Sequence, residues 1–328
     1  MRKLLINNST DPAFNLALEE LLATDFREPA VMLWRNAPSV IVGRNQNTNA
    51  EVNDAEVRKR RIMVVRRMTG GGAVYHDLGN INYTITAADR LFAPEAFANH
   101  ARIITDVLHQ LGVDAEFHGR NDILVDGRKV SGSAKTVFSD RTLFHGTLLF
   151  DTDLTVLAQV LTPDEEKIKA KGIRSVRSRV ANLQEFLPQF DRESFFQELS
   201  CRLLDLLGEK EVTPLPEKLL EKADELAGKK YRTWEWNFGS VTDYSYCRKK
   251  YFAGGCVEVK FNIRGNRIAD MAFSGDFFGA SPVEELAAKL NGALPGFDDI
   301  SGRLAAIDTA EFISGVSKDE LLTLFALV

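Results

Sequence analysis

The chain has 328 residues, 45% hydrophobic and 27% charged, the balance of a soluble globular protein with room for two domains. Its 41 lysines and arginines against 46 aspartates and glutamates give a formal net charge of −5, which excludes a general nucleic-acid binder but leaves local anion sites open. Cys201, Cys247 and Cys256 form neither a disulfide framework nor a metal motif, as expected in a reducing cytoplasm, and no apolar run nears the roughly 20 residues that span a bilayer.

Asp11-Pro12 opens a helix, a capping side chain before proline at the first helical position; Phe14, Ala17, Leu18, Leu21 and Leu22 share its buried face. Two short apolar runs, 31–34 and 40–42, joined by Asn36-Ala37-Pro38-Ser39, predict a hairpin. Arg58-Lys59-Arg60-Arg61 reads as a solvated helix face. Then comes Arg66-Arg67-Met68-Thr69-Gly70-Gly71-Gly72-Ala73-Val74-Tyr75-His76-Asp77. Three glycines let several backbone N–H groups converge on one anion, and two arginines supply forked permanent cations. Taken alone, the triplet is equally a hairpin turn. It is not a Walker A loop, since no Gly-Lys-Ser/Thr follows.

Ile81-Asn82-Tyr83-Thr84-Ile85-Thr86 alternates as a strand, and a helix runs from Pro94 to Gly112. Asp126-Gly127 is a two-residue hairpin signal between 123–125 and 128–134. Hairpins interleaved with long helices predict an α+β domain on a mixed, largely antiparallel sheet. Residues 163–182 are cationic around Gly172, either solvated surface or a flap over an anionic ligand. Helices at 191–207 and 216–227 and the stretch 234–239 complete a first domain, 1–244. Residues 245–251 read as a linker, and 252–328 as a small α+β domain with capping boxes at Ser281 and Ser317.

No Ser-x-x-Lys arrangement is present, the cysteines lie far from the glycine stretch, and His76, His100, His109, His118 and His145 show no ligand spacing. What remains is an anion-handling group: Arg66, Arg67, the glycines, Lys129 in a strand beside small residues, and the cationic segment. Phosphoryl and adenylyl transfer need mainly positioning and charge stabilisation.

The arginine–glycine stretch with Gly79-Asn80, together with Gly119-Arg120-Asn121-Asp122-Ile123, Arg128-Lys129-Val130-Ser131-Gly132-Ser133-Ala134, His145-Gly146-Thr147 and the run 170–180, resembles the lipoate–protein ligase A family in its long bacterial form. The resemblance implies a biotin/lipoate ligase-like catalytic domain, similar to class II aminoacyl-tRNA synthetases, plus an accessory domain. It implies activation of lipoic acid with ATP and Mg²⁺ to lipoyl-AMP, then transfer to a lysine of E2 lipoyl domains or the glycine-cleavage H protein, by a cytoplasmic monomer.

By the same resemblance Lys129 is catalytic, contacting the acyl carbonyl and the α-phosphate. Arg67, Thr69, Gly70, Gly71, Gly72, Ala73, Val74, Tyr75, His76, Asn80, Asn121 and Asp122 join it around ATP and the adenylate, with Asp122 also matched to Mg²⁺. Trp34, Arg66, Gly71, Gly72, Ser131, Gly132, His145 and Gly146 are implied at the lipoyl pocket, and Lys169, Lys171, Gly172 and Arg177 in a loop closing over the adenylate. Two rivals stand beside this: an acyl transferase without ATP activation, and a non-catalytic lipoyl-domain binder.

Overall fold

The alternation in Asn80–Ala87 builds the larger domain. Ile81, Tyr83 and Ile85 point to one side, into a core with Ile104 and Leu108 of helix Pro94–Gln110 and Phe195, Leu199 and Leu203 of helix Arg192–Leu207. Asn80, Asn82, Thr84 and Thr86 point to the other side and are also buried. A polar strip under cover rather than in water marks a site.

The computed structural model describes residues 2–87, 94–138, 141–162, 180–239, 244–295 and 297–325. Its strands are β1 (Lys3–Asn7), β2 (Ala30–Trp34), β3 (Ser39–Val42), β4 (Met63–Arg66), β5 (Val74–His76), β6 (Asn80–Ala87), β7 (Ala115–His118), β8 (Asp122–Val125), β9 (Arg128–Phe138), β10 (Arg141–Leu149), β11 (Tyr246–Phe252), β12 (Gly255–Arg264) and β13 (Arg267–Gly275). The large sheet has the order β1-β2-β6-β10-β9-β8-β7; β1 and β2 pair parallel and the other neighbours antiparallel. A small sheet, β4-β3-β5, pairs β3 with β4 parallel and β3 with β5 antiparallel, and carries the glycine stretch between β4 and β5.

Helix Pro12–Thr24 packs beside the polar face of the large sheet. Asp11 caps it, accepting from the N–H groups of Ala13 and Phe14. Its apolar side joins Met32 and Trp34 of β2 and, across from them, Leu219 and Ala223 of helix Glu217–Leu226. The third sheet, β11-β12-β13, is antiparallel and packs on its own helices around Val257, Phe261, Phe277, Leu286 and Leu324. No helix among the described residues is long and apolar enough to cross a membrane.

Three expectations are corrected. The runs 31–34 and 40–42 form no hairpin: β2 joins the large sheet and β3 the small one. Between them Asn36 accepts from Asn15 Nδ2 at 2.8 Å, and Ala37 N–H donates to Thr10 at 2.8 Å, which anchors the connection to the first helix instead of folding it back. Residues 246–251, expected in the linker, belong to β11, an edge strand whose Arg248, Lys249 and Lys250 read as loop because edges carry charge. Ser281 does not cap its helix; its hydroxyl bonds Glu311 at 2.5 Å, and Pro282 takes the cap position. The box at Ser317 and the Asp126-Gly127 turn, with φ of 50° and 70°, form as expected.

Candidate active site

The register of the large sheet lays a straight row across its polar face. Trp34 on β2 is opposite Asn82 on β6, and Asn82 is opposite Thr147 on β10. Thr147 Oγ1 is 3.2 Å from the N–H of Gly132 on β9, and beside Gly132 stand Lys129 and Asp122. An irregularity in the β8–β9 pairing, Ile123 opposite Ser131 but Leu124 opposite Lys129, leaves Val130 as the extra residue. Such a bulge re-aims a side chain. It brings Lys129 Nζ to 2.6 Å from Asp122 Oδ1. Gly132 is required beneath it, because a Cβ there would lie 2.7 Å from Nζ. Asn121 holds this edge in place: its Nδ2 donates to the Ser133 carbonyl at 2.7 Å.

The glycine loop faces this floor. Arg67 runs beneath it, fully buried, with Nη2 donating to the carbonyls of Gly70 (2.7 Å) and Gly72 (2.9 Å), Nη1 to that of Ile41 (3.1 Å), and Nε to Thr69 Oγ1 (2.9 Å). Gly71 has φ of 93°, a left-handed conformation that favours glycine. The Gly70 and Gly72 carbonyls are thus committed to Arg67. Among the described residues, the N–H groups of Gly70, Gly71, Gly72 and Ala73 donate to no protein acceptor. Free N–H groups on a loop whose carbonyls are tied back form an anion cradle.

A second chain of hydrogen bonds joins loop to floor. Thr69 Oγ1, which accepts from Arg67, lies 2.8 Å from His145 Nε2; His145 Nδ1 lies 3.0 Å from Glu19 Oε1. Thr84 Oγ1 donates to the same Glu19 oxygen at 2.5 Å and accepts from Trp34 Nε1 at 2.8 Å. Burial draws the Arg67 guanidinium down to about 10, with Glu19 opposing the shift and Arg66 adding to it, so Arg67 stays charged at neutral pH.

His76, Asn80 and Asn82 complete the floor. Asn36 Nδ2 lies 3.0 Å from His76 Nδ1, which must therefore accept, and Nε2 carries the proton. Burial first, then the charges of Arg67 and His145, push His76 down to about 3, so the ring is neutral. His76 Nε2, Asn80 Oδ1 and Asn82 Nδ2 are all buried without a partner. Buried polar atoms are left unpaired at a cost of about 1–3 kcal/mol each; here they line a floor that a polar ligand would satisfy.

Other expected residues lie elsewhere. Arg66, expected at a lipoyl pocket, is a scaffold clamp: its guanidinium donates to the carbonyls of Trp236, Gly43, Arg44, Gln46 and Asn237 and to Thr48 Oγ1. Ser131 and Gly146, also expected at that pocket, face the apolar side of the sheet. Ser131 Oγ meets Tyr83 OH at 3.3 Å, and a Cβ on Gly146 would strike that hydroxyl. The Tyr75 ring is buried in the small sheet's own core, where burial pushes its hydroxyl up to about 12, so only its backbone is offered to the site. Val74 pairs with Ile41 in the same sheet. Lys169, Lys171, Gly172 and Arg177 fall outside the described residues.

Glu19, Thr84 and Asn82 were not anticipated. The alternation of β6 held the signal for the last two, since it sets Asn82 and Thr84 on one face of the strand. For Mg²⁺ the described residues offer Asp122 beside Lys129 and no group of three acidic, histidine or cysteine side chains. That fits an ion carried mainly by substrate phosphates rather than by a protein cage.

A family model described as the lipoyl protein ligase A/B catalytic domain matches residues 11–204, and one described as the bacterial lipoate protein ligase C-terminus matches residues 242–325. The chain is 39% identical over 324 residues to lipoate–protein ligase 1 of Staphylococcus aureus, covering 98% of each. Among solved structures it is similar to lipoate-protein ligase A bound with ATP, at a TM-score of 0.64 and 30% identity over 73% of this chain and 99% of that one. It is also similar to the bi-partite lipoate protein ligase of Thermoplasma acidophilum, described with its E2 lipoyl domain, at 0.65 and 31% over 75% and 99%.

Proposed function

Since the chain belongs to the lipoate–protein ligase family, with the bacterial C-terminal domain, we propose that it activates lipoate with ATP as lipoyl-adenylate and passes the lipoyl group to a lysine of a lipoyl-domain protein. Lipoate–protein ligase is its activity; the assignment of steps to residues is our reading. In the first step a carboxylate oxygen of lipoate attacks the α-phosphorus of ATP and pyrophosphate leaves. In the second, the acceptor lysine's amine attacks the acyl carbonyl, AMP leaves with the bonding pair, and the amine's proton passes to solvent. The acceptors are lipoyl domains of E2 subunits and the H protein.

The observation that carries this reading is the pairing of an anion cradle with a mobile cation. Backbone N–H groups of Gly70, Gly71, Gly72 and Ala73 take the phosphates, fixed in advance by Arg67. Lys129 reaches the reacting oxygens, because Nζ swings on a four-carbon stem above Gly132 and is a compact point charge. Asp122, 2.6 Å away, aims the amine. Asp122 would be the side chain nearest a Mg²⁺ ion brought by the substrate, which would supply charge neutralisation. The acyl chain lies over the floor toward Trp34, whose ring is held by its bond to Thr84.

The test is lipoate-dependent ATP–pyrophosphate exchange with the full chain. Wild type exchanges and Lys129→Ala, folded, does not. Exchange by Lys129→Ala at the wild-type rate would overturn the lysine's role, and acyl transfer without exchange in wild type would overturn adenylation.

A further inference from the structure

β9 pairs with β10 from Phe138 back to Ser133. At Gly132 the backbone already bonds a side chain, Thr147 Oγ1 at 3.2 Å. At Lys129 a different segment takes the place of β10. Val180 forms a parallel bridge to Lys129, and the Ala181 N–H donates to the Lys129 carbonyl at 2.9 Å. That carbonyl belongs to the peptide unit joining Lys129 to Val130, the extra residue of the bulge. A bulged residue has no partner across the ladder, so its peptide plane is the least constrained in the strand. The bond from Ala181 fixes that plane, and with it the direction in which the Lys129 side chain leaves the backbone.

The segment 180–186 is itself held from several sides. Ala181 and Leu183 are fully buried in the main core of the larger domain. Between them Asn182 binds the bend just past β10. Its Oδ1 accepts from the Thr152 N–H at 3.0 Å, and its Nδ2 donates to the Thr152 carbonyl at 2.9 Å. The Gln184 N–H donates to the Phe150 carbonyl at 3.0 Å. Glu185 Oε2 lies 2.7 Å from Arg128 Nη1, and the Arg128 guanidinium is 5.1 Å from the Phe186 ring. Arg128 and Lys129 therefore both lean on this segment, one by its side chain and one by its backbone. The Arg128–Glu185 pair is open to solvent and holds weakly. Asn182 satisfies both backbone groups of the buried Thr152, which no apolar side chain can do.

We propose that Asn182 is a positioning residue for Lys129: by tying the segment 180–186 to Thr152 it holds the Ala181 N–H against the Lys129 carbonyl and so sets where Nζ points. The inference rests on the reading of Lys129 as the residue that stabilises the reacting oxygens. Loss of Asn182 re-aims the lysine without emptying a ligand site, so turnover falls while ground-state affinity does not.

The test is pyrophosphate exchange with the full chain, expressed per folded molecule. Asn182→Ala should lower kcat about tenfold and leave KM for ATP, pyrophosphate and lipoate within about twofold. Asn182→Asp still accepts from the Thr152 N–H but cannot donate to its carbonyl; it should lose part of that rate, and it guards against misfolding of the first variant. Arg192→Ala is the structural control. It frees the same bend from the other side, where Arg192 Nε bonds Asp151 Oδ2 at 2.8 Å, and should keep kcat. Added to Gly132→Ala, whose methyl group displaces Nζ directly, Asn182→Ala should take away little more, since both act on one amine. Four results overturn the inference while the role of Lys129 stands: unchanged kcat in both Asn182 variants, a rise in any KM that matches the fall in kcat, an equal loss in Arg192→Ala, or losses that multiply in the double variant. Exchange by Lys129→Ala at the wild-type rate overturns both.

Discussion

His145 Nδ1 sits 3.0 and 3.1 Å from the two carboxylate oxygens of Glu19, and both residues are buried. Through this pair the polar floor of the large sheet is bonded to the glycine loop: Glu19 holds His145, His145 holds Thr69, and Thr69 receives Arg67. Hydrogen bonds to a buried charge are the strong ones. Glu19→Ala leaves His145 and Thr84 without their acceptor and takes a carboxylate away from the buried Arg67 charge, and should cost about 3 kcal/mol in urea unfolding. Amide hydrogen exchange at Gly70, Gly71 and Gly72 should rise as well. A variant as stable as wild type, with unaltered loop exchange, would show that the pair does not anchor the loop.

Arg66 and Arg67 are adjacent and both buried, yet they do different work. Arg66 ties β4 to the 43–48 loop and to the 234–239 segment through six acceptors, and Trp236 Nε1 donates back to its carbonyl at 2.8 Å. A planar fork satisfies such a set; an ammonium group cannot. Arg66→Lys should therefore lower stability by about 3 kcal/mol, while KM for lipoate in the folded fraction stays near the wild-type value. Denaturant unfolding and kinetics at a temperature well below the melt check both parts.

The division of labour between these arginines was not legible in the sequence. Arg66-Arg67 beside three glycines reads as two cations for one anion, because spacing reveals neither which guanidinium points inward nor how many carbonyls surround it. The helix starting at Asp11-Pro12, the Asp126-Gly127 turn and the box at Ser317 were legible, since each is fixed by residues within four positions. The supposed 31–42 hairpin failed for the opposite reason. Asn36 is held by Asn15 and packs against His76, forty positions away. Likewise Asn82 and Thr84 look like a solvent face until the first helix and the glycine loop cover them. The motif resemblance located Lys129, but only the bulge at Val130 explains how its amine and Asp122 come to share the space over Gly132.

That shared space gives a sharp test. A Cβ on Gly132 falls 2.7 Å from Lys129 Nζ and 2.9 Å from Cε, with Asp122 Oδ1 at 3.9 Å. The obstructed group is the end of a flexible side chain, so the backbone need not move. Gly132→Ala should keep its melting temperature within about 2 °C and lose about 10²–10³ in kcat for adenylation, the scale of one misplaced charge-stabilising donor. Thermal unfolding and pyrophosphate exchange on the same preparation decide it. Wild-type exchange would mean that Lys129 works from a position not blocked by the methyl group.

His76 links the floor to acid stability. In the unfolded chain a histidine binds its proton near pH 6.5, whereas burial and the nearby cations hold the folded His76 down to about 3. Between those values the unfolded state binds the extra proton, so stability falls as pH drops below about 6.5, by up to about 1.4 kcal/mol per pH unit until both states are protonated. Above pH 7 the residue is neutral in both states and contributes no slope. Replacing it by Gln removes this titration while keeping a polar side chain near Asn36. The difference in unfolding free energy between wild type and His76→Gln, measured from pH 7.5 to 4.5, should shrink steadily as the pH falls. A constant difference across that range would mean that His76 takes up a proton in the folded protein as readily as in the unfolded chain.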